Sequence, residues 1–600
     1  MGIVIGIDFG TTNSLCAFMD GDRPSIIPNA RGARSTPSVV AVSPRGEILV
    51  GESARNQALI NPGNTIAAPK RHLASGSLLA MGGRNWRPEE IAGLILQSLR
   101  ADAERHLSRE VREAVITAPA HFSDRERRAL MEAGRLAGLE VRQVVNEPTA
   151  AALARAHSLG GAAEAAPLPL AGRKGRSVPP AARGRRGKVP VGPAAPEGQN
   201  DESVILVYDF GGGTFDVTVL RQEGRDCRVL SSRGDGRLGG GDIDRELYRR
   251  AARAFLEEEG LEVDTDRLMV QALMDQAERA KIELSERQEA DLCLPFAVVG
   301  SGNAARVVHP RHTVDRPSFE ALILPFVERS LELTDRALAD ASLGKEDVDV
   351  LVLSGGSSRM PLVRRLLEER YGLKPSGGIN PEEVVALGAA VSASLSAGSS
   401  RLSFHDVVSR TYGVEIDGGS FVPLIRKNSP VPATKSRLFT TVEDRQDSVE
   451  IHVLQGESRK CGENLSLGRF LLSGIRTARA GQPRIKVDFS IDESDILHVS
   501  AVDLDSGAVQ AISIADLGRG AAAESPAELV AKASLLSGRI GELRSGLALE
   551  AGLEAELDEA SKRAGEADVA MSEGELRLLK AELEGLVGEL LARRGEEVGV

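Results

Sequence analysis

The chain has 600 residues, 42% of them hydrophobic and 27% charged, enough for several domains with cores of their own. A formal net charge of -12 argues against nucleic acid as the main partner. No run of ~18 apolar residues offers a membrane span, and Met1 leads straight into the apolar run Ile3–Ile7 without a signal-peptide pattern. The four cysteines, Cys16, Cys227, Cys293 and Cys461, are far apart and form no CxxC, which suits a reducing cytoplasm better than a zinc site or a disulfide framework.

The first 156 residues alternate strand and helix signals. Ile3–Ile7 predicts a strand, and Asp8-Phe9-Gly10-Thr11-Thr12-Asn13 follows it. Glu113–Thr117 predicts a second strand, Asp124–Ala137 a charged helix with Ser123 or Asp124 as N-cap, and Val141–Val145 a third strand. Pro148 then opens an Ala-rich helix over 149–156, which puts Glu147 at a strand-to-helix turn, where sites of α/β folds gather. Residues 157–201 are rich in Pro, Gly, Ala and Arg and poor in large apolar side chains, so they read as a disordered surface loop. A basic arm for RNA or acidic lipid is the competing reading.

Val204–Tyr208 is an apolar run that ends at Asp209, with Gly211, Gly212 and Gly213 before Thr214. A carboxylate at a strand end followed by glycines sets a metal-directing charge beside bare N–H groups that can wrap phosphate oxygens. The Asp8 turn repeats this device, which suggests two like-built halves facing one phosphate chain; paired hairpin turns would look similar. Leu238-Gly239-Gly240-Gly241-Asp242 is another Gly-rich turn opening a helix. Gln271–Leu284 is predicted helical, with Glu278, Lys281 and Ser285 on one face that a plain solvated surface would equally explain. Val348–Leu353 predicts a strand ending in Ser354-Gly355-Gly356-Ser357-Ser358-Arg359, and Asn380–Ser394 a helix with Pro381 in its first turn.

From about 406 strand signals replace alternation: Gly413–Ile416, Arg437–Val442, Val449–Gln455, Ile485–Ile491, Leu497–Val502 and Val509–Ile514. These predict a small antiparallel sandwich with turns at Asp417-Gly418-Gly419 and Asp505-Ser506-Gly507. Past Ala521 the composition is Ala, Leu and Glu, and Ser525 and Ser572 open capping-box patterns of a short helical bundle.

With these stretches laid out, the chain resembles the DnaK (heat shock protein 70) family over nearly its whole length. GIDFGTTNS (6–14), APKR (68–71), AVITAPAHFSD (114–124), NEPTAAALA (146–154), YDFGGGTFDVTVL (208–220), QAERAKIELS (276–285), SGGSSRMP (354–361), NPEEVVALGAA (380–390) and HVLQGE (452–457) carry the likeness. The short span from Lys70 to Ala118 and the FSDRERR-type helix look more like the HscC subgroup. The resemblance implies an actin-like α/β ATPase of two lobes with duplicated ribonuclease H-like halves (1–395), a linker (396–407), a β-sandwich that binds peptide (408–520) and an α-helical lid (521–600).

By matching position, the resemblance assigns Gly10, Thr11, Thr12, Asn13, Gly211, Gly212, Gly213 and Thr214 to the phosphates of ATP or ADP. Asp8 and Asp209 would act on Mg²⁺ through water, Lys70 would reach the third phosphate, and Glu147 and Thr214 would help place the attacking water. Gly240, Glu278, Lys281, Ser285, Gly355, Gly356, Ser357, Arg359 and Glu382 would close around the rest of the nucleotide. For the peptide, the matching positions are Val414, Ile416, Phe439, Val442, Val449, Ile451, Ile485 and Val487, all of which read equally well as sandwich core. The implied partners are unfolded polypeptides, a J-domain co-chaperone and a nucleotide exchange factor.

Several positions depart from the family pattern. The linker Arg401-Leu402-Ser403-Phe404-His405-Asp406 carries apolar side chains only at 402 and 404, so weaker coupling is expected. Asp417 stands where an apolar residue usually arches over the peptide, which would favour basic peptides or loosen the arch; a shifted register around Asp417-Gly418-Gly419 is the competing reading. His121, Ser123 and Gln143 replace a Tyr, an Asn and an Arg at J-domain docking positions, which points to a dedicated partner. The end of the chain, Glu596-Glu597-Val598-Gly599-Val600, is not the EEVD tail, and the shortened segment after Lys70 leaves the exchange factor open. A small-molecule kinase or a filament former of the same architecture would have no use for residues 406–520.

Overall fold

The computed structural model describes residues 3–58, 60–160, 202–224, 226–300, 305–377, 379–396, 403–416, 419–513 and 551–566, with isolated positions between 537 and 583. The chain divides into two compact units, Met1–Ala515 and Asp516–Val600.

In the first unit, Val4–Asp8 is the hub of one sheet. It pairs in parallel with Glu113–Ala118, which pairs in parallel with Glu140–Asn146; on its other edge Asn13–Asp20 and Arg23–Ile27 run antiparallel. A second sheet follows the same plan around Glu202–Phe210, with Val350–Ser354 parallel on one edge and Phe215–Glu223 and Asp226–Asp235 antiparallel on the other. Both hubs end at an Asp-Phe-Gly turn that starts the antiparallel hairpin. Val204–Tyr208 is buried throughout, as a continuous apolar run between two covered faces requires.

Two helices of small residues, Glu147–Gly160 and Val384–Ser396, lie between the sheets. Their close approach depends on glycine: a Cβ on Gly388 would collide with the backbone of Ala150, and one on Gly6 with that of Ala390. Val115, Val145, Ala150 and Ala151 from the first half thereby share a core with Ile205, Val207, Val352 and Val384.

A pair of four-stranded sheets completes this unit, Ser420–Ile425, Tyr412–Ile416, Ser448–Gln455 and Leu465–Ser473 in one, and Ala433–Phe439, Ile485–Ile491, Leu497–Asp503 and Val509–Ser513 in the other. Alternation places Ile485, Val487, Phe489 and Ile491 inside. In the second unit, Leu557, Ala560 and Ala564 recur at three- and four-residue spacing along helix Ala551–Glu566 and are buried.

Some elements differ from the sequence expectation. The helix expected from Asn380 begins at Val384, because the Asn380 side chain accepts the Glu382 N–H at 3.2 Å and holds an open turn. The Ala-rich helix continues to Gly160, with His157 Nε2 2.6 Å from the Asp22 carbonyl. The strand expected at Arg437–Val442 is Ala433–Phe439, which leaves Val442 outside any strand. Ser420–Ile425 and Leu465–Ser473 lacked a clear signal because Pro423 and Gly468 interrupt them. Asp417, most of the 157–201 segment, and the capping boxes at Ser525 and Ser572 lie outside the described residues.

Candidate active site

The two Asp-Phe-Gly turns face each other. A Cβ on Gly212 would strike Thr12 Oγ1, and one on Gly213 would strike Thr11 Oγ1, so only bare backbone fits between them. The third glycine turn stacks beneath: Gly240 N–H donates to Gly211 O at 3.0 Å and Gly241 N–H to Gly212 O at 2.8 Å. Gly355 has φ +78°, and a Cβ there would meet the Phe210 carbonyl and the Asp209 carboxylate. Ser357 Oγ donates to Gly211 O at 2.9 Å, and Ser38 Oγ to Gly10 O at 2.7 Å.

Behind the turns sits a buried charge cluster. Lys70 is 4% exposed, donates to the Phe9 carbonyl at 2.5 Å and forms an ion pair with Glu147. It enters on a short helical turn, Pro69–His72, opened by Ala68 in a left-handed conformation. Thr117 Oγ1 donates to Asp8 at 3.2 Å. Burial, and then the charge of Glu147, pushes the Asp8 carboxyl up to about 7 against the pull of Lys70. Asp209 is pushed well up by burial and by Glu147, Asp216 and Asp8.

Carboxylates that raise one another in this way, beside one lysine, are short of positive charge. A divalent cation would supply it. Among the described residues no three His, Cys, Asp or Glu side chains converge as a direct chelate. The carboxylate oxygens of Asp8 and Asp209 suit a hard ion that keeps much of its water shell, as Mg²⁺ does.

At the far side of the turns, Lys281 pairs with Asp244 at 2.8 Å, and burial pushes Asp244 up to about 6. Glu278 pairs with Arg55 at 2.8 Å, and Ser285 Oγ bonds back to Lys281 O at 3.3 Å. Arg359 lies 3.6 Å from Glu382 and donates to Asn380 at 2.7 Å. Gly240, Lys281 and Ser357 converge, since a Cβ on Gly240 would meet both the Ser357 Oγ and the Lys281 Nζ. Sequence reasoning missed Asp244, Arg55, Arg71, which donates to the Gly213 carbonyl at 3.3 Å, and the bidentate Arg34–Glu383 pair at 2.7 and 2.9 Å. Their partners are distant in sequence; only Asp244, two residues past the glycine turn, carried a local hint.

The expected peptide positions divide. Val414, Ile451, Ile485 and Val487 are buried in the sandwich, Phe439 and Val449 are half-buried, and Ile416 and Val442 are 39% and 67% exposed.

The sandwich packs on helix Asp124–Leu136. Asp124 accepts the Leu497 N–H at 2.8 Å, Arg128 donates to Leu497 O at 2.7 Å, and the fully buried Arg127 donates to Asn146 at 2.5 Å and lies 3.6 Å from Asp495. His121 pairs with Asp216 at 3.1 Å, Ser123 caps the helix in a box with Glu126, and Gln143 donates to Glu493 O at 3.2 Å. The segment expected to be the linker joins the second sheet as a parallel edge strand, Ser403–His405 against Asp226–Arg228. Asp406 then accepts from Asn146 at 3.1 Å and Thr149 at 3.0 Å.

The family model described as Hsp70 protein matches residues 4–77, 74–158 and 194–587. The chain is also 41% identical over 517 residues to the chaperone protein DnaK of Thermotoga neapolitana, covering 85% of this chain and 80% of that one. The match runs through the sandwich, which neither a small-molecule kinase nor a filament former would need, and with the facing glycine turns it places this chain in the Hsp70 family.

Proposed function

We propose that this Hsp70 chain is an ATP-dependent molecular chaperone that binds and releases extended apolar segments of unfolded proteins, with hydrolysis of ATP as its timer. The facing glycine turns around the Lys70–Glu147 pair carry the reading. Phosphoryl transfer to water asks a protein mainly for placement and charge neutralisation. Backbone N–H groups of Gly10–Asn13 and Gly211–Thr214 hold the phosphates. Lys70 neutralises the third phosphate and, with Glu147 and Thr214, places the attacking water. Asp8 and Asp209 hold hydrated Mg²⁺, which supplies charge neutralisation when bound. Glu278, Lys281, Ser285, Ser357, Arg359 and Glu382, with Gly240, Gly355 and Gly356, embrace the nucleoside.

The two sheet-centred halves are read as actin-like lobes of ribonuclease H-like plan over residues 1–395, the segment 396–407 as the linker, 408–520 as the peptide module and 521–600 as the lid. Ile416, Phe439, Val442 and Val449 would touch the peptide, and Val414, Ile451, Ile485 and Val487 would shape the groove from within. A peptide there would be held by backbone hydrogen bonds and selected by an apolar pocket. The altered residues His121, Ser123 and Gln143 favour a dedicated J-domain partner, and a reducing cytoplasm suits the four unpaired cysteines.

The test is release of a fluorescent unfolded peptide from the full chain. Magnesium and ATP are expected to speed release well above ADP. Equal rates, or binding of nucleotide that survives replacement of both Asp8 and Asp209 by Ala, would overturn the reading.

A further inference from the structure

Between the Ala120–His121 turn, the second sheet, helix Arg316–Asp340 and the sandwich lies a cavity of about 500 Å³ that neither the nucleotide nor the peptide reading uses. One wall is His121, Ser232 and Arg233; the other is Arg410, Lys427 and Gln455. The charges in it do not balance pairwise. Arg233 grips both oxygens of Asp340 at 2.7 and 2.8 Å, and among the described residues Lys427 has only that same carboxylate within ion-pair distance, at 3.8 Å. Arg410 donates to a neutral acceptor, the His121 carbonyl, at 2.9 Å, and no carboxylate pairs with it among the described residues. Of the acids in the wall, Glu463 lies 3.6 Å from Lys460, and Glu457 accepts from the neutral Thr411 N–H and Oγ1 at 2.9 and 2.8 Å and so keeps a charge that acts on Lys427, which still leaves one cation in excess of the acids.

A second observation is independent of charge. Gln455 is 1% exposed, and neither its Oε1 nor its Nε2 has a hydrogen-bond partner among the described residues. A buried amide without partners marks a place where another polar group belongs. Burial and then the neighbouring Arg233 push the Lys427 ammonium down to about 8, against the pull of Asp340 and Glu457.

We propose that this cavity binds an oxyanion of the phosphate class, held by Arg410 and Lys427 with the Gln455 amide donating to it. Guanidinium, ammonium and amide N–H together suit a tetrahedral oxyanion, which offers acceptors on every side. Because the walls come from both the ATPase half and the sandwich, the bound anion ties the two together. Inorganic phosphate, the product of the chain's own hydrolysis, is such an anion, so the site links product concentration to docking.

The experiment is hydrogen exchange by mass spectrometry on the full chain, with saturating magnesium and ATP so that the nucleotide turns are filled. Inorganic phosphate is titrated against chloride of equal ionic strength, and peptides covering 230–236 and 455–465 are followed. Phosphate is expected to slow exchange in both, and Arg410→Met with Lys427→Met to weaken that response roughly tenfold or more. Gln455→Leu, which keeps the volume and both cations, is expected to weaken it as well without loosening docking in chloride. Sulfate is expected to act like phosphate, because recognition is by geometry and charge. No slowing in the wild type, or an undiminished response in both variants, overturns the proposal; the latter assigns phosphate's effect to the nucleotide turns and leaves water in the cavity.

Discussion

Lys70 stands at the centre of the residue-scale chemistry, bound to Glu147 and to the Phe9 carbonyl. Replacing it with Ala leaves buried carboxylates without their ammonium, so single-turnover hydrolysis should fall by about 100-fold or more while nucleotide still binds. An unchanged turnover would remove Lys70 from the reaction. Asp495 supplies a pH prediction. It is buried beside Arg127, and burial pushes its carboxyl up from an ordinary 3.8 to about 6. A raised carboxyl favours the docked form fully below about 4, and the advantage is lost as pH rises through 6. Relative to Asp495→Asn, which cannot ionise, the wild type should lose about 2 kcal/mol of docking between pH 4 and 7. Protease sensitivity of the linker, compared in the two proteins across that range, checks this; parallel pH curves would refute it.

These residues were not equally legible in the sequence. Asp8, Asp209 and their glycines could be read directly, because a carboxylate and a run without Cβ atoms sit side by side in the chain. Glu278, Lys281 and Ser285 looked like any polar helix face, since Arg55, which pairs with Glu278, and Gly240 and Asp244, which lie beside Lys281, are far away in sequence. The sandwich was legible as alternation, but alternation does not say where along a strand the covered part ends. Ile416 and Val414, two residues apart and so on the same face of one strand, had equal claims, though Ile416 at the strand end is half-open and Val414 is buried.

Among the elements, the helix Val384–Ser396 tolerates least. It reaches the helix Glu147–Gly160 where Gly388 meets Ala150, and an added side chain has no room to move into. Gly388→Val should cost at least about 3 kcal/mol and yield little folded protein, which thermal unfolding and expression will report. The linker is more forgiving. Its strand rests on backbone pairing, the half-buried Phe404 and the polar capture of Asp406. Phe404→Ala should weaken docking by about 1–2 kcal/mol, less than a fully buried phenylalanine would cost. The sequence counted only the apolar side chains of this segment, and the anchoring by Asp406 depends on Asn146 and Thr149, which no local pattern announces. Peptide-stimulated ATPase close to that of a DnaK with a leucine-rich linker would show that this polar anchor makes up the difference.

For the molecule as a whole, the ATPase half and the sandwich share one compact unit through backbone acceptors at Leu467, Ser494 and Leu497. Such contacts do not ask for particular side chains in the sandwich, so they survive sequence change there. Ending the chain after Ser396 should keep ATP hydrolysis and abolish peptide binding; loss of both would mean that the sandwich is needed to fold the rest.

The parallel pairing of Ser403–His405 with Asp226–Arg228 has one more consequence. When the sandwich lets go, the second sheet is left with a bare rim, and Cys227, opposite Phe404 in the ladder and 2% exposed, lies along it. Burial pushes its thiol up to about 11, so it should be chemically silent while covered. Maleimide capture at Cys227 would then count, molecule by molecule, how often the two halves part company during the working cycle.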